Sequence, residues 1–347
     1  MRVLVTGHHG YIGSVLVPLF ERAGHQVVGL DAGFFEACRF GAAEPHDDIR
    51  RRDLREVERT DLEGFDAIVH LGALSNDPLG DLDAELTYDI NLHGSLRLAR
   101  LAKEAGVPRF LFASSCSNYG ASGGDAKLDE QATLAPITPY AISKVKLEAA
   151  LLELADATFS PVMLRNATAY GVSPRLRVDI VLNNLVAWAV TTGRIVLQSD
   201  GTPWRPLVHV EDIGRAFLLL AGAPREAVHA EAFNIGGSEE NYRIRELAEI
   251  VGETVPGCEI RLAEGAGPDP RNYRVSCAKL ESRFPEFRLK WNARSGAAEL
   301  AAAYRERGLD FAAFDGPRYK RLSRIRELIA GGEIGSDLRW RGSTERR

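Results

Sequence analysis

A short apolar strand at the start of the chain runs straight into glycines: Met1-Arg2-Val3-Leu4-Val5-Thr6-Gly7-His8-His9-Gly10-Tyr11-Ile12-Gly13. Side chains at Gly7, Gly10 and Gly13 would block a tight strand-to-helix turn, the approach of backbone N–H groups to a ligand, and the close packing of helix on strand. A helix starting near Gly10 aims its positive end at an anion over the turn. The next strand, Gln26-Val27-Val28-Gly29-Leu30, ends in Asp31, where a carboxylate can hydrogen-bond adenosine ribose hydroxyls. The charge of Asp31 repels a 2′-phosphate, and Ala32 and Gly33 offer no cation to hold one, so NAD is expected over NADP.

The 347 residues, 45% hydrophobic and 26% charged, suffice for a large core in one big or two moderate domains. A net charge of −5 and scattered arginines argue against a nucleic-acid partner. No apolar run reaches the length of a membrane span, and the first strand leaves no room for a signal peptide, so a cytoplasmic protein without a membrane partner is expected. Cys38, Cys116, Cys258 and Cys277 are dispersed without CxxC pairing, which suggests neither a disulfide framework nor a metal site.

Strand-like runs at Val3–Thr6, Val27–Asp31, Ala67–Leu71, Phe110–Ser114 and Val162–Arg165 alternate with helical stretches such as Asn91–Ala105 and Tyr140–Leu154. This predicts an α/β fold, a Rossmann-type doubly wound parallel sheet, with a smaller α/β C-terminal substrate domain. After Gly171 the pattern loosens into short strands near Ile195–Leu197 and Leu207–Val210 and a helix near Arg243–Val251. Residues 1–172 and 205–236 are expected to form the NAD-binding domain and 173–204 with 237–340 the substrate domain. Leu322, Ile325, Leu328 and Ile329 predict a packed surface helix, followed by a flexible tail at 341–347.

Tyr140 and Lys144 stand four apart, on one face of a helix. An ammonium beside a phenol favours the phenolate, which can accept a proton from a sugar hydroxyl as hydride leaves the same carbon. The strand before Ser114 and Ser115 delivers both hydroxyls to its carboxyl end, where one can hydrogen-bond the reacting oxygen or simply cap a turn.

Taken together, these residues resemble the extended short-chain dehydrogenase/reductase superfamily, in its NAD-dependent nucleotide-sugar epimerase/dehydratase family. The likeness runs from Thr6–Gly13 through Asp31, Asp53-Leu54, His70-Leu71-Gly72-Ala73, Asn91, Ser114-Ser115-Cys116-Ser117-Asn118-Tyr119-Gly120, Tyr140/Lys144 and Tyr170-Gly171 to Arg205–Asp212. It implies Tyr140 as catalytic base, Lys144 as its partner and Ser115 as the third catalytic residue. It implies a cofactor site of Gly7, His9, Gly10, Tyr11, Ile12, Gly13, Asp31, Asp53, Leu54, Leu71, Ala73, Asn91, Tyr140 and Lys144. Ser115, Cys116, Ser117, Thr168, Asn184, Arg205 and Arg271 are the corresponding expectation for the nucleotide-sugar substrate, with Arg205 on its diphosphate. A homodimer through Asn91–Ala105 and Tyr140–Leu154 is implied as well.

The chain departs from that pattern in three places. Cys116 and Ser117 stand where the family's 4,6-dehydratases carry an Asp-Glu pair, which disfavours dehydration because eliminating water needs an acid and a base there. Cys116 lies three residues before Tyr119 rather than two, and a small buried apolar side chain is the expectation for it. Thr168 replaces a family asparagine, and a family arginine is missing from Gly265–Asp269, with Arg271, Arg175, Arg177 and the Asn183-Asn184 pair as substitutes. The leading expectation is an NAD-dependent 4-epimerase. A 4-ketoreductase using NADH is the alternative, ahead of a non-catalytic NAD-responsive binding protein.

Overall fold

The computed structural model describes residues 1–41, 49–75, 83–120, 126–267 and 271–341. In chain order its strands are β1 (Arg2–Thr6), β2 (Gln26–Asp31), β3 (Ile49–Arg51), β4 (Ala67–His70), β5 (Arg109–Ser115), β6 (Lys127–Leu128) and β7 (Ser160–Asn166). There follow β8 (Thr168–Tyr170), β9 (Arg194–Ser199), β10 (Trp204–His209), β11 (Glu231–Ile235), β12 (Asn241–Arg243), β13 (Glu259–Gly267) and β14 (Arg274–Val275). Seven of them form the expected parallel sheet, in the order β11-β7-β5-β4-β1-β2-β3. The order reverses at β1, between β2 and β4, and a ligand in an open parallel sheet binds outside the carboxyl ends of the strands at such a point.

The sheet is covered on both faces, so its strands are apolar along their length rather than alternating with polar residues. Val3 and Val5 point into a core with Leu16, Val17 and Phe20 of the first helix (Gly13–Arg22) and Ile213 and Phe217 of the helix Val210–Gly222. Leu4 points the other way, into a core with Leu98, Leu147 and Leu151. A further core joins Leu182 and Val186 of the helix Val181–Thr192 to Leu247, Leu300 and Tyr304. Around it lie the smaller sheets β12-β10-β8 and β13-β9.

Several boundaries differ from the expected ones. The first helix begins at Gly13 rather than near Gly10, because the chain spends the intervening residues in the turn. The stretch expected as one helix over Asn91–Ala105 is a wide π-type turn at Asp89–Gly94 followed by a helix at Ser95–Glu104. Strands β3 and β11 carried no sequence signal of their own. The C-terminal helix spans Arg321–Ala330 and buries Ile325 and Leu328 with Leu74, Ile334 and Leu338, against Phe34 and Phe35. Trp340 Nε1 donates to the Ala32 carbonyl at 2.6 Å and pins the segment after it beside β2. Of the expected tail, residues 342–347 lie outside the described residues.

Beneath the carboxyl end of β5, one buried ion pair joins several elements. Glu148 lies one turn beyond Lys144 on the helix Pro139–Leu154 and accepts from Arg165 Nη2 at 2.7 Å and Nε at 3.1 Å. It also accepts from Asn118 Nδ2 at 3.0 Å and from the Ser114 hydroxyl. Arg165 in turn donates to the Tyr119 hydroxyl at 3.2 Å. Truncating one partner of such a pair strands the other charge in the core. Glu148→Ala is therefore expected to lower unfolding free energy by about 3–5 kcal/mol, measured by urea melts; a loss below about 1 kcal/mol would mean that the pair is solvated.

Candidate active site

The carboxyl ends of β1, β2, β4, β5 and β7 open into one cleft of about 1000 Å³. Its floor is the glycine turn. Gly7 has φ +72°, and a Cβ there would sit 2.8 Å from the Gly72 nitrogen. A Cβ on Gly13 would lie 2.5 Å from both the Gly7 carbonyl oxygen and His8 Cα. At Gly7 and Gly13 the turn is thus closed to side chains by backbone, and Gly7, Gly10 and Gly13 line the cleft. Tyr11 and Ile12 line it too, with the Tyr11 hydroxyl donating to the Gly171 carbonyl at 2.7 Å.

At one end stands Asp31, whose carboxylate accepts from the backbone N–H of Gly33 at 2.7 Å and of His9 at 3.1 Å. Burial pushes its pKa up against those two donors. Asp53 and Leu54 line the same end. Burial would raise Asp53, but hydrogen bonds from Arg55, one at 2.6 Å, hold it below the usual carboxylate range. Two cations near this end escape notice in the sequence: Arg51, whose side chain passes Gly33, and Arg52 in the cleft wall. Both are already paired, with Glu36 and Asp61.

At the other end the helix Pro139–Leu154 presents Tyr140 and Lys144. Thr138 caps this helix by accepting from the Ala141 N–H, and Pro139 occupies its first turn. Lys144 Nζ lies 5.6 Å from the centre of the Tyr140 ring and donates to the Ala113 carbonyl at 2.8 Å. Burial strips its ammonium of water and lowers its pKa to about 7, with Glu148 pulling the other way. Ser115 faces the same space. Its Oγ accepts from Ser117 N at 3.1 Å and from the Ser117 hydroxyl at 2.8 Å, which leaves its own O–H for another acceptor.

Leu71, Ala73, Ser117, Thr168, Asn184, Arg205 and Arg271 also line the cleft. Arg205 is largely buried there rather than on the surface, and Nη1 donates to the Trp204 carbonyl at 2.9 Å. Asn184 Nδ2 donates to the Val178 carbonyl at 2.9 Å. Three expected contact residues do not line the cleft. His9 lies outside the lining and meets the site at Asp31, through its backbone N–H and the charge of its ring. Asn91 stands behind the wall and fixes the loop after β4, with Oδ1 accepting from Leu74 N at 2.8 Å and Nδ2 donating to Leu74 O at 3.0 Å. Cys116 is buried beneath it, donating to the Arg165 carbonyl at 3.1 Å, and burial pushes its thiol pKa up.

Other lining residues carried no sequence signal: Phe34, Phe35 and Arg321. Arg177 lines the cleft as well, paired with Asp179 at 2.8 Å, while Arg175 and Asn183 are buried outside the lining. Among the cleft's described residues, Asp31, Asp53 and Asp179 are the carboxyl groups, and none belongs to the segment that carries Ser115.

A bare-backbone turn, a carboxylate at one end and a phenol-ammonium pair at the other fit an extended dinucleotide. Comparison with known proteins agrees. Residues 3–236 match the NAD dependent epimerase/dehydratase family. The UDP-glucose 4-epimerase of Streptomyces lividans is 30% identical over 311 residues, 84% of this chain and 91% of that one. MoeE5, solved with UDP-glucuronic acid and NAD, superposes with a TM-score of 0.76 at 27% identity, covering 88% of this chain and 99% of its own. The dTDP-glucose 4,6-dehydratase of Streptomyces venezuelae, solved with NAD, gives 0.76 at 26% identity over 90% of this chain and 100% of its own.

The Lys144 pKa has a measurable consequence. Between about pH 7 and 10 the unfolded chain keeps a proton on this amine that the folded chain has released, so the group's contribution to stability rises with pH. In NAD-free protein, the unfolding free energy of the wild type is expected to gain on that of Lys144→Met by ~1.4 kcal/mol per pH unit across this window. Urea melts at a series of pH values read it, and a flat difference would show that the amine stays charged in the fold.

Proposed function

The chain belongs to the NAD-dependent epimerase/dehydratase family, and from that membership we propose that it is a nucleotide-sugar 4-epimerase. The observation that carries this reading is the meeting of Ser115, Tyr140 and Lys144 in a cleft with no carboxyl group among the described residues of the Ser115 segment. NAD, when bound, supplies a reversible hydride acceptor, the part of the chemistry that no side chain can perform. Tyr140 takes the proton of the sugar 4-hydroxyl. Lys144, 5.6 Å from the centre of the Tyr140 ring, favours the phenolate whenever it carries its proton. Ser115 donates a hydrogen bond to the same sugar oxygen and steadies the charge that develops on it. Once the keto sugar has turned its other face, Tyr140 returns the proton.

Arg205 and Arg271, with Thr168 and Asn184 beside them, hold the nucleotide diphosphate in this reading. A guanidinium fork suits phosphate oxygens better than an ammonium does. Residues 1–172 and 205–236 form the NAD-binding unit and 173–204 with 237–340 the sugar-binding unit. UDP-hexoses are the first candidates, because the S. lividans relative is a UDP-glucose 4-epimerase and MoeE5 was solved with UDP-glucuronic acid. Dehydration is disfavoured by Cys116 and Ser117: the thiol is buried away from the cleft, and a serine hydroxyl is no acid for a leaving hydroxyl.

Purified protein given UDP-glucose, UDP-galactose or UDP-glucuronic acid is expected to form the 4-epimer without added NAD, followed by NMR. Tyr140→Phe is expected to lose about 10²- to 10⁴-fold in kcat while still binding NAD. Stoichiometric consumption of NADH with a 4-keto sugar, and no epimer, would mean a ketoreductase instead. We also propose a homodimer through the helices Ser95–Glu104 and Pro139–Leu154. Light scattering at working concentration is expected to give twice the 38.0 kDa chain mass, and a monomer there excludes it.

A further inference from the structure

Arg321 opens the C-terminal helix and is 2% exposed, yet it lines the cofactor cleft. Its guanidinium lies 4.3 Å over the Phe35 ring, and Nη2 donates to the Arg175 carbonyl at 2.8 Å. Nη1 has no hydrogen-bond partner among the described residues, and neither has Nη2 of Arg177, which is 6% exposed and lines the same cleft. Asp179, paired with Arg177, accepts from the Arg321 backbone N–H at 3.3 Å, one carboxylate against two guanidiniums. A desolvated cation with an open donor is costly unless an anion meets it.

The position says which anion. Arg321 lines the same cleft as Asp31, Arg177, Tyr11 and Tyr140; its charge acts on Asp31 and Arg177, and that of Arg177 on Tyr11 and Tyr140. A dinucleotide with its adenosine ribose at Asp31 and its nicotinamide end at Tyr140 carries its diphosphate between them, over the glycine turn. We infer that Arg321, with Arg177 beside it, binds the diphosphate of NAD from the side opposite the glycine turn. The C-terminal helix, held in place by Leu74, Phe34 and the Trp340–Ala32 hydrogen bond, is thereby part of the cofactor site. The diphosphate of the nucleotide sugar shares this chemistry, and the test separates the two sources. The inference needs only NAD and stands apart from the epimerase assignment, since it is read by binding rather than turnover.

The test is calorimetric titration of NAD-stripped, full-length wild type, Arg321→Met and Arg321→Lys with NAD, ADP-ribose, adenosine and UDP. Arg321→Met is expected to raise Kd for NAD and ADP-ribose by about ten- to a hundredfold, with adenosine and UDP within about twofold of wild type. Arg321→Lys should recover part of the loss, because it restores the charge without the fork. A native melting curve with NAD affinity within about threefold of wild type overturns the inference. So does a loss that falls on UDP instead, which would give the arginine to the substrate's diphosphate. Hydrogen exchange on wild type gives a readout that no variant's folding can obscure: amides of 319–330 should slow with ADP-ribose more than with adenosine, and equal rates overturn the inference.

Discussion

The Glu148–Arg165 pair is the contact on which the geometry of the cleft's chemical end depends, because it ties together the three pieces of chain that must meet there. Glu148 comes from the helix that carries Tyr140 and Lys144, Arg165 from the end of β7, Ser114 from the end of β5 beside Ser115, and Asn118 from the turn after it. A buried pair of charges is a poor source of net stability, since desolvation consumes most of the attraction. What it provides is direction, because each charge tolerates few alternative partners in a core. With Tyr140, Lys144 and Glu148 at i, i+4 and i+8, one helix face runs from a partly exposed phenol to a buried amine and a buried carboxylate.

The same gradient explains the state of Lys144. The ammonium is buried deeply enough to lose much of its proton affinity, yet Glu148 beyond it partly restores it. His70, by contrast, is held neutral, its pKa lowered to about 3 by burial. Its ring nitrogens lie 2.7 Å from the Thr6 hydroxyl and 2.8 Å from that of Ser95, pinning the ends of β1 and β4 where the strand order reverses. The Lys144 amine, held on the Ala113 carbonyl of β5, and this neutral histidine on β4 thus sit at neighbouring strands.

Much of the cofactor half was legible in the sequence because its constraints are local. A glycine whose Cβ would strike backbone three residues away announces itself, as do a strand ending in an acid and a Tyr-Lys pair at helical spacing. Contacts between distant segments left no such mark. Asn91 falls in a helical pattern, and only the π-type turn around it shows that its amide is spent on Leu74. Cys116 lies in the sequence between two cleft-lining serines, but the 3-10 turn after β5 sends its thiol beneath the site. Arg321 looked like one cation among several on a surface helix, since its burial depends on Phe35, nearly three hundred positions earlier in the chain.

Charge around the cleft also bears on which chemistry the fold can run. Eliminating water from a sugar requires a proton donor at the departing hydroxyl and a base at the adjacent carbon, together with the phenol that removes the 4-hydroxyl proton. The cleft's described carboxyl groups are otherwise engaged: Asp31 by two backbone N–H groups, Asp53 by Arg55, Asp179 by Arg177. Glu148, the nearest acid to Ser114, is consumed by Arg165 and lies beneath the strand rather than over it. Among the described residues the acids of the cleft are thus committed to structure, and the phenol-ammonium pair stands beside Ser115 at the other end. That arrangement fits the proposed reversible oxidation of one carbinol carbon better than the expulsion of a neighbouring hydroxyl.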